Sequence, residues 1–250
     1  MTHTSKPLFR FRGPWAIPMD VMPSAVIFYA LAFALISVGL DWLQGAFWLP
    51  VILFVSVFLH ELGHAWAVRR QGAQVDRIAF VGFGGFCQFT GANARGALWI
   101  TLAGPAVNLI LAILILLLGV GMMAMMISGL LPIAVIAYGA QAWTLIVIVV
   151  LMNLALCFGN LMPFQPLDGG RVVHLSLVRV LPLDRAMRVA GVIGLVSGVI
   201  WIPTMAWLLL EWEVIFPVIP NLRTHWRMMF GRTDLAHVLR LEVVPEPAAT

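Results

Sequence analysis

Residues 96–167 read GALWITLAGPAVNLILAILILLLGVGMMAMMISGLLPIAVIAYGAQAWTLIVIVVLMNLALCFGNLMPFQPL. These 72 consecutive positions, between Arg95 and Asp168, contain no Asp, Glu, Lys or Arg. A soluble domain carries about 25% charged residues and needs them for its surface. A membrane-spanning helix needs about 20 apolar residues, so this run has room for two or three spans. The rest of the 250-residue chain agrees: 62% of it is hydrophobic and only 10% charged. Such a composition excludes a soluble globular protein, a disordered chain and a nucleic-acid-binding domain. Long continuous apolar runs, without period-2 alternation, also exclude a membrane β-barrel. The expected fold is an all-α polytopic membrane protein with about six transmembrane helices.

Working outward, the basic residues set the topology. The formal net charge is +4, and positive residues gather on the cytoplasmic side of spans. Lys6, Arg10 and Arg12 precede a first span at about 23–40, which puts the N-terminus in the cytoplasm. Residues 1–22 read as a cytoplasmic segment without the features of a cleaved signal. A second span at about 47–68, after an outer turn at Asp41 to Gly45, ends at Arg69-Arg70. Gln71 to Gly91 has apolar runs too short to span, broken by glycines, and reads as a short re-entrant β-hairpin. The third span covers about 97–119, a Gly/Met-rich connection follows, and the fourth covers about 133–158. Val189 to Ile219 is apolar with a breaker at Pro203. It reads as one long span or as a hairpin of two short ones, and the arginines after it favour the hairpin. The membrane domain is thus 23–220, and 221–250 forms a cytoplasmic tail. Cys87 and Cys157 form no CxxC motif, His174, His225 and His237 read as surface residues, and Gly194 with Gly198 reads as helix packing.

The chemistry lies in His60-Glu61-Leu62-Gly63-His64, an H-E-x-x-H pattern. Positions i and i+4 share a helix face, so His60 and His64 can aim two imidazoles at one zinc ion, with Glu61 beside it as general base. Ionisable groups in a membrane helix are costly and are functional by default. A catalytic zinc site has three protein ligands. Asp168, in a proline-broken and glycine-rich turn, and Glu211 are the candidates for the third. His60 lies about nine residues before Arg69, so about 13 Å from the cytoplasmic interface by helical rise. Two crossings return the chain to that side at Asp168, which favours it, while Glu211 remains the rival. Asn108 and Asn153 read as interhelical hydrogen-bonding residues, with a role at the site the sharper reading for Asn108.

His60-Glu61-Leu62-Gly63-His64-Ala65 at one span end and Asn160-x-x-Pro163-x-x-Pro166-Leu167-Asp168-Gly169 at another resemble the site-2 protease family of intramembrane metalloproteases. Ala103-Gly104-Pro105-Ala106-Val107-Asn108 is similar to that family's third-core-span motif. The resemblance covers about 47–175. It implies a three-helix catalytic core, one zinc per chain held by His60, His64 and Asp168, and water activation by Glu61. It implies that Asn160 holds substrate near the scissile bond. It also implies that the hairpin with Gly82, Phe83 and Gly84 presents substrate as an added strand. Many members carry a PDZ or a CBS domain, for which this chain is expected to have no room. The expected activity is therefore hydrolysis of peptide bonds within transmembrane segments, in regulated intramembrane proteolysis. The partners are a transmembrane protein substrate and the lipid bilayer, with no nucleic acid. The site is expected toward the cytoplasmic side of a bacterial inner membrane. The alternatives are a non-proteolytic zinc-binding or zinc-transporting membrane protein, and a zinc protease with Glu211 as third ligand.

Overall fold

The structure is a computed structural model that describes residues 6–39, 48–130, 139–212 and 218–232. The expected outer turn at Asp41 to Gly45, the expected start of the fourth span near 133, and the tail with His237 lie outside the described residues. In chain order the elements are β1 (Phe9–Arg12), a 3-10 turn (Pro14–Ala16), β2 (Pro18–Val21), α1 (Pro23–Gly39), α2 (Trp48–Arg70), β3 (Gln74–Val81) and β4 (Gly84–Thr90). There follow α3 (Ala94–Ile127), α4 (Gly139–Asn160), α5 (Asp168–Leu177), α6 (Leu183–Trp212) and α7 (Leu222–Met229). Among the described residues, four helices are long and apolar enough to cross a membrane: α2, α3, α4 and α6. α1 offers a shorter apolar stretch, Pro23–Ala34.

Three expectations change. The chain is not all-helical, because residues 9–21 supply two strands and the sheet has four, in the order β1-β2-β3-β4. α3 runs on to Ile127 through the Gly/Met-rich stretch expected as a connection. Ser128 and Gly129 end it instead, and Gly129 adopts φ +69° so that Leu130 can bond back to the Met125 carbonyl. α6 passes through Pro203 as one helix where a hairpin was expected. A proline removes one backbone hydrogen bond, which an apolar helix tolerates when its other bonds hold.

The chain divides into two compact units. The first draws on residues 1–66, 75–88 and 103–157. Its core lies between the sheet and α2: Met19, Ile78, Phe80 and Cys87 pack with Val57 and Ala65, and Phe54, Phe58 and Leu62 close around them. Phe80 packs against the rings of both Phe54 and Phe58, at 5.4 and 6.0 Å. β1 and β2 are antiparallel, with Arg10 opposite Asp20. β2 and β3 are parallel, with Met19 opposite Ile78. Asp20 is fully buried and takes a two-pronged bond from Arg10, at 2.6 and 2.9 Å, with Arg77 at 3.3 Å. Half of the apolar stretch of α2 is buried, against 11% for that of α3, so α2 is the inner helix. α3 turns Ile110, Leu114, Leu117 and Leu118 outward, a face that suits lipid and not water.

The second unit draws on residues 67–74, 89–102 and 158–250. Here the last turn of α2 is closed by a Schellman motif. Gly72, at φ +70°, donates to the Arg69 carbonyl, and Ala73 donates to that of Val68. Asn93 caps α3 by accepting from the Gly96 N–H at 2.7 Å. Asn221 caps α7 by accepting from Thr224 at 3.1 Å. α5, α6 and α7 share an apolar core of Met187, Ala190 and Met228, flanked by Val173 and Leu177. His174 and His225 are fully buried in this unit, contrary to the surface roles expected for them. The local charge of their segments misled, because α5 and α7 are two-faced helices with the histidines on the inner face.

Candidate metal centre

α2 carries His60, Glu61 and His64, all buried. One helical turn separates the two histidines, and their Nε2 atoms approach to 3.1 Å. Asn108 of α3 lies behind His60, its Oδ1 2.5 Å from His60 Nδ1. Neighbouring carbonyls fix the orientation of that amide. Asn108 Nδ2 donates to the Ser56 carbonyl at 3.3 Å and to Asn153 Oδ1 at 2.8 Å. Asn153 of α4 is oriented in turn, because its Nδ2 donates to the Val149 carbonyl at 2.9 Å and to Ser56 Oγ at 3.1 Å. A carbonyl only accepts, so Asn108 must turn its own oxygen toward His60. His60 Nδ1 therefore carries the ring proton, and its Nε2 presents a lone pair. That lone pair faces His64 Nε2 at 3.1 Å, so a proton or a cation belongs between the two nitrogens.

The metal-ligating atoms of His60, His64 and Asp168 all lie within 4.8 Å of one another. The donor set of two imidazoles and a carboxylate suits a zinc ion with an open fourth position. Gly104 of α3 supports the fit: a Cβ there would come within 2.6 Å of His60 Nε2 and closer still to His64. The space in front of the imidazoles thus depends on a residue without a side chain. Gly63 does the same for helix packing, since its Cβ would meet the Ala103 carbonyl at 2.9 Å. Among the described residues, the group able to hold one metal ion is the expected one. Glu211 lies exposed at the end of α6 and is not in it.

Asp168 opens α5, where a carboxylate is favoured by the helix dipole. The two glycines after it have a packing reason. A Cβ on Gly169 would fall on the Leu161 and Met162 carbonyls, and one on Gly170 would meet the Phe164–Gln165 peptide at 2.6–2.9 Å. The proline-broken turn of 161–167 is thereby folded down on the first turn of α5. Asn160, the last residue of α4, is half-buried. Gly82 and Phe83 form the turn between β3 and β4, with Gly82 at φ +58°. That turn is tied to α1, by Gly82 N–H to Ser24 Oγ at 3.3 Å and by Tyr29 OH to the Phe83 carbonyl at 3.4 Å. Gly84 opens β4. The glycine that reaches Glu61 is the next one: a Cβ on Gly85 would sit 2.9 Å from Glu61 Oε1. Gly85 was given no role from the sequence, and Gly104 entered only as part of the Ala103–Asn108 motif.

Comparison with known proteins agrees with this geometry. The profile described as peptidase family M50 matches residues 48–201. A zinc metalloprotease of Methanocaldococcus jannaschii is 30% identical over 190 residues, covering 75% of this chain and 50% of that protein. The chain spans about half the length of the curated relatives it matches. A solved structure, the site-2 protease from Methanocaldococcus jannaschii, superposes with a TM-score of 0.55 at 24% identity, over 90% of this chain and 93% of that one. The likeness shows a shared fold. With its H-E-x-x-H helix, its returning aspartate and a profile match over more than half its length, the chain belongs to peptidase family M50, the site-2 proteases.

Proposed function

We propose that the protein is an intramembrane zinc endopeptidase. Its reaction is hydrolysis of peptide bonds in transmembrane segments of other membrane proteins, in regulated intramembrane proteolysis. The observation that carries this reading is the meeting of His60, His64 and Asp168 donor atoms beside a buried Glu61, in a chain whose helices suit a bilayer. Zinc held by these three residues supplies a Lewis acid that lowers the pKa of water to about 7 and polarises a carbonyl. Glu61 takes a proton from the attacking water and delivers it to the leaving amine as the C–N bond breaks. Its burial, against Gly85, keeps bulk water from competing for that proton. Asn160 donates a hydrogen bond to the substrate backbone.

A helical substrate hides its carbonyls, so it unwinds before cleavage. β4 is an edge strand of the sheet, and an edge offers unpaired backbone groups to an extended peptide. Gly85, on β4, touches Glu61, so a peptide paired there is delivered next to the general base. Gly82, Phe83 and Gly84 shape the entry to that edge. Arg69 and Arg70, close after the H-E-x-x-H motif on α2, support a site toward the cytoplasmic side, and the membrane we propose is a bacterial inner membrane.

Glu61→Gln keeps the shape of the side chain and removes the base. The expected outcome is retained zinc and a loss of cleavage by roughly 10²- to 10⁴-fold. Comparing membrane-protein fragments between cells with the unmodified protein and cells with Glu61→Gln reads this out. Identical fragment patterns from the two, with zinc present in both, would refute the proteolytic reading and leave a zinc-binding protein.

A further inference from the structure

α7 lies outside the matched family region, yet it holds the turn that carries Asp168. Both backbone groups of Gln165 are taken by this segment. The Gln165 N–H donates to His225 Nε2 at 2.7 Å, and the Gln165 carbonyl accepts from the Asn221 N–H at 2.9 Å. A backbone N–H only donates, so His225 Nε2 is the bare nitrogen and the ring is neutral. Burial pushes its pKa down to about 4, consistent with that state at neutral pH. The other face of the same peptide rests on Gly170, where a Cβ would meet Gln165 N at 2.7 Å. The Phe164–Gln165 peptide is thus held between the His225 ring and the first turn of α5.

His225 has its own seat. A Cβ on Gly194 of α6 would clash with its ring, at Cε1, Nδ1 and Nε2. Gly191 admits the backbone of α7, where a Cβ would meet the His225 carbonyl at 2.8 Å. Gly198 admits Pro220 and Leu222. The spacing read from sequence as helix packing is a groove that receives α7. His225 is 1% exposed, and its Nδ1 has no hydrogen-bond partner among the described residues. A buried imidazole with one bond made and one forgone is costly to keep, and the bond it makes is to the turn of Asp168.

We propose that α7 belongs to the metal-site scaffold and that His225 is a positioning residue, which fixes the Phe164–Gln165 peptide against Gly170 and so sets Asp168 at the head of α5. The inference rests on Asp168 being a zinc ligand. It is tested on the purified full chain by zinc competition against a chelator and by the d–d absorption bands of the cobalt-substituted protein, with size-exclusion and helix content as folding controls. His225→Leu fills the seat without an acceptor and is expected to weaken zinc binding by about 10- to 100-fold and to shift the cobalt bands. His225→Gln offers an acceptor at similar reach and is expected to restore both. Gly194→Ala displaces the ring without touching the turn and is expected to behave like His225→Leu. A folded His225→Leu protein with unchanged zinc affinity and cobalt bands overturns the inference, as does a glutamine variant as weak as the leucine one. If His225→Leu does not fold, Gly194→Ala and His225→Gln decide by the same readouts. Asp168→Ala in parallel separates the two levels. Unchanged zinc in that variant defeats the ligand assignment itself, whereas lost zinc there with unchanged zinc in His225→Leu defeats only the role of α7.

Discussion

At the scale of single residues, the centre is organised by groups that bind nothing themselves. Ser56, Asn153 and Asn108 form a directional chain, each amide turned by a carbonyl that can only accept. Its end point is the tautomer of His60. Asn108→Ala removes the acceptor at His60 Nδ1 and leaves the ring free to rotate and to change tautomer. Zinc affinity, measured by chelator competition, is expected to fall about 10- to 100-fold, while α3 remains helical because alanine is the best helix former. An unchanged affinity would show that α2 alone orients the imidazole. That His60 and His64 meet was legible from their spacing, because i, i+4 geometry is local. The glycines at 85 and 104 were not, because what they touch is set by the meeting of different elements. His225 was misread for the same reason: its burial depends on a groove in α6, more than twenty residues earlier.

At the scale of elements, helices were easier to read than strands. Apolar length identifies α2, α3, α4 and α6, and glycines at φ near +70° end α2 and α3 where the pattern changes. Residues 9–12 and 18–21 carry no such mark. Pro18-Met19-Asp20-Val21 becomes a strand because β3 lies beside it, and that pairing is distant in sequence. Asp20 is the charged pin of this sheet. The hydrogen bond from Arg10 holds its carboxyl below the ordinary value of 3.8, with Arg77 adding to the effect against the cost of burial. The folded protein therefore binds that proton less readily than the unfolded chain. The stabilisation is fully present above about pH 4 and is lost as the pH falls through the depressed native value. Asp20→Asn is expected to lower the melting temperature by a few degrees at pH 7 and to flatten the acid limb of the stability curve. Thermal unfolding in detergent between pH 3 and 7 checks this, and parallel curves for the two proteins would argue against it.

At the scale of the whole molecule, a metal held by His60, His64 and Asp168 would join donors from α2 and α5 that lie about a hundred positions apart in the chain. Binding that requires the folded arrangement adds to stability by mass action. Zinc at a hundredfold excess over its Kd contributes about 2.7 kcal/mol. Stripping the ion with a chelator is expected to lower the melting temperature by several degrees, and adding zinc back restores it. His60→Ala should melt at the stripped temperature with or without zinc. A melting temperature indifferent to zinc would mean that the three donors do not act as one site.

The parallel pairing of Met19 with Ile78 also orders the biosynthesis of the protein. The first two strands leave the ribosome roughly sixty residues ahead of the strand that completes them. α1 and α2 are made in the interval. A two-stranded ribbon is marginal by itself in water, so β1 and β2 wait unfinished while the helices find the bilayer. The sheet is complete only once β3 has been made, and it packs over α2 against Phe54 and Phe58. A bulky fusion ahead of Phe9 would burden that closing step and leave the insertion of α2 untouched.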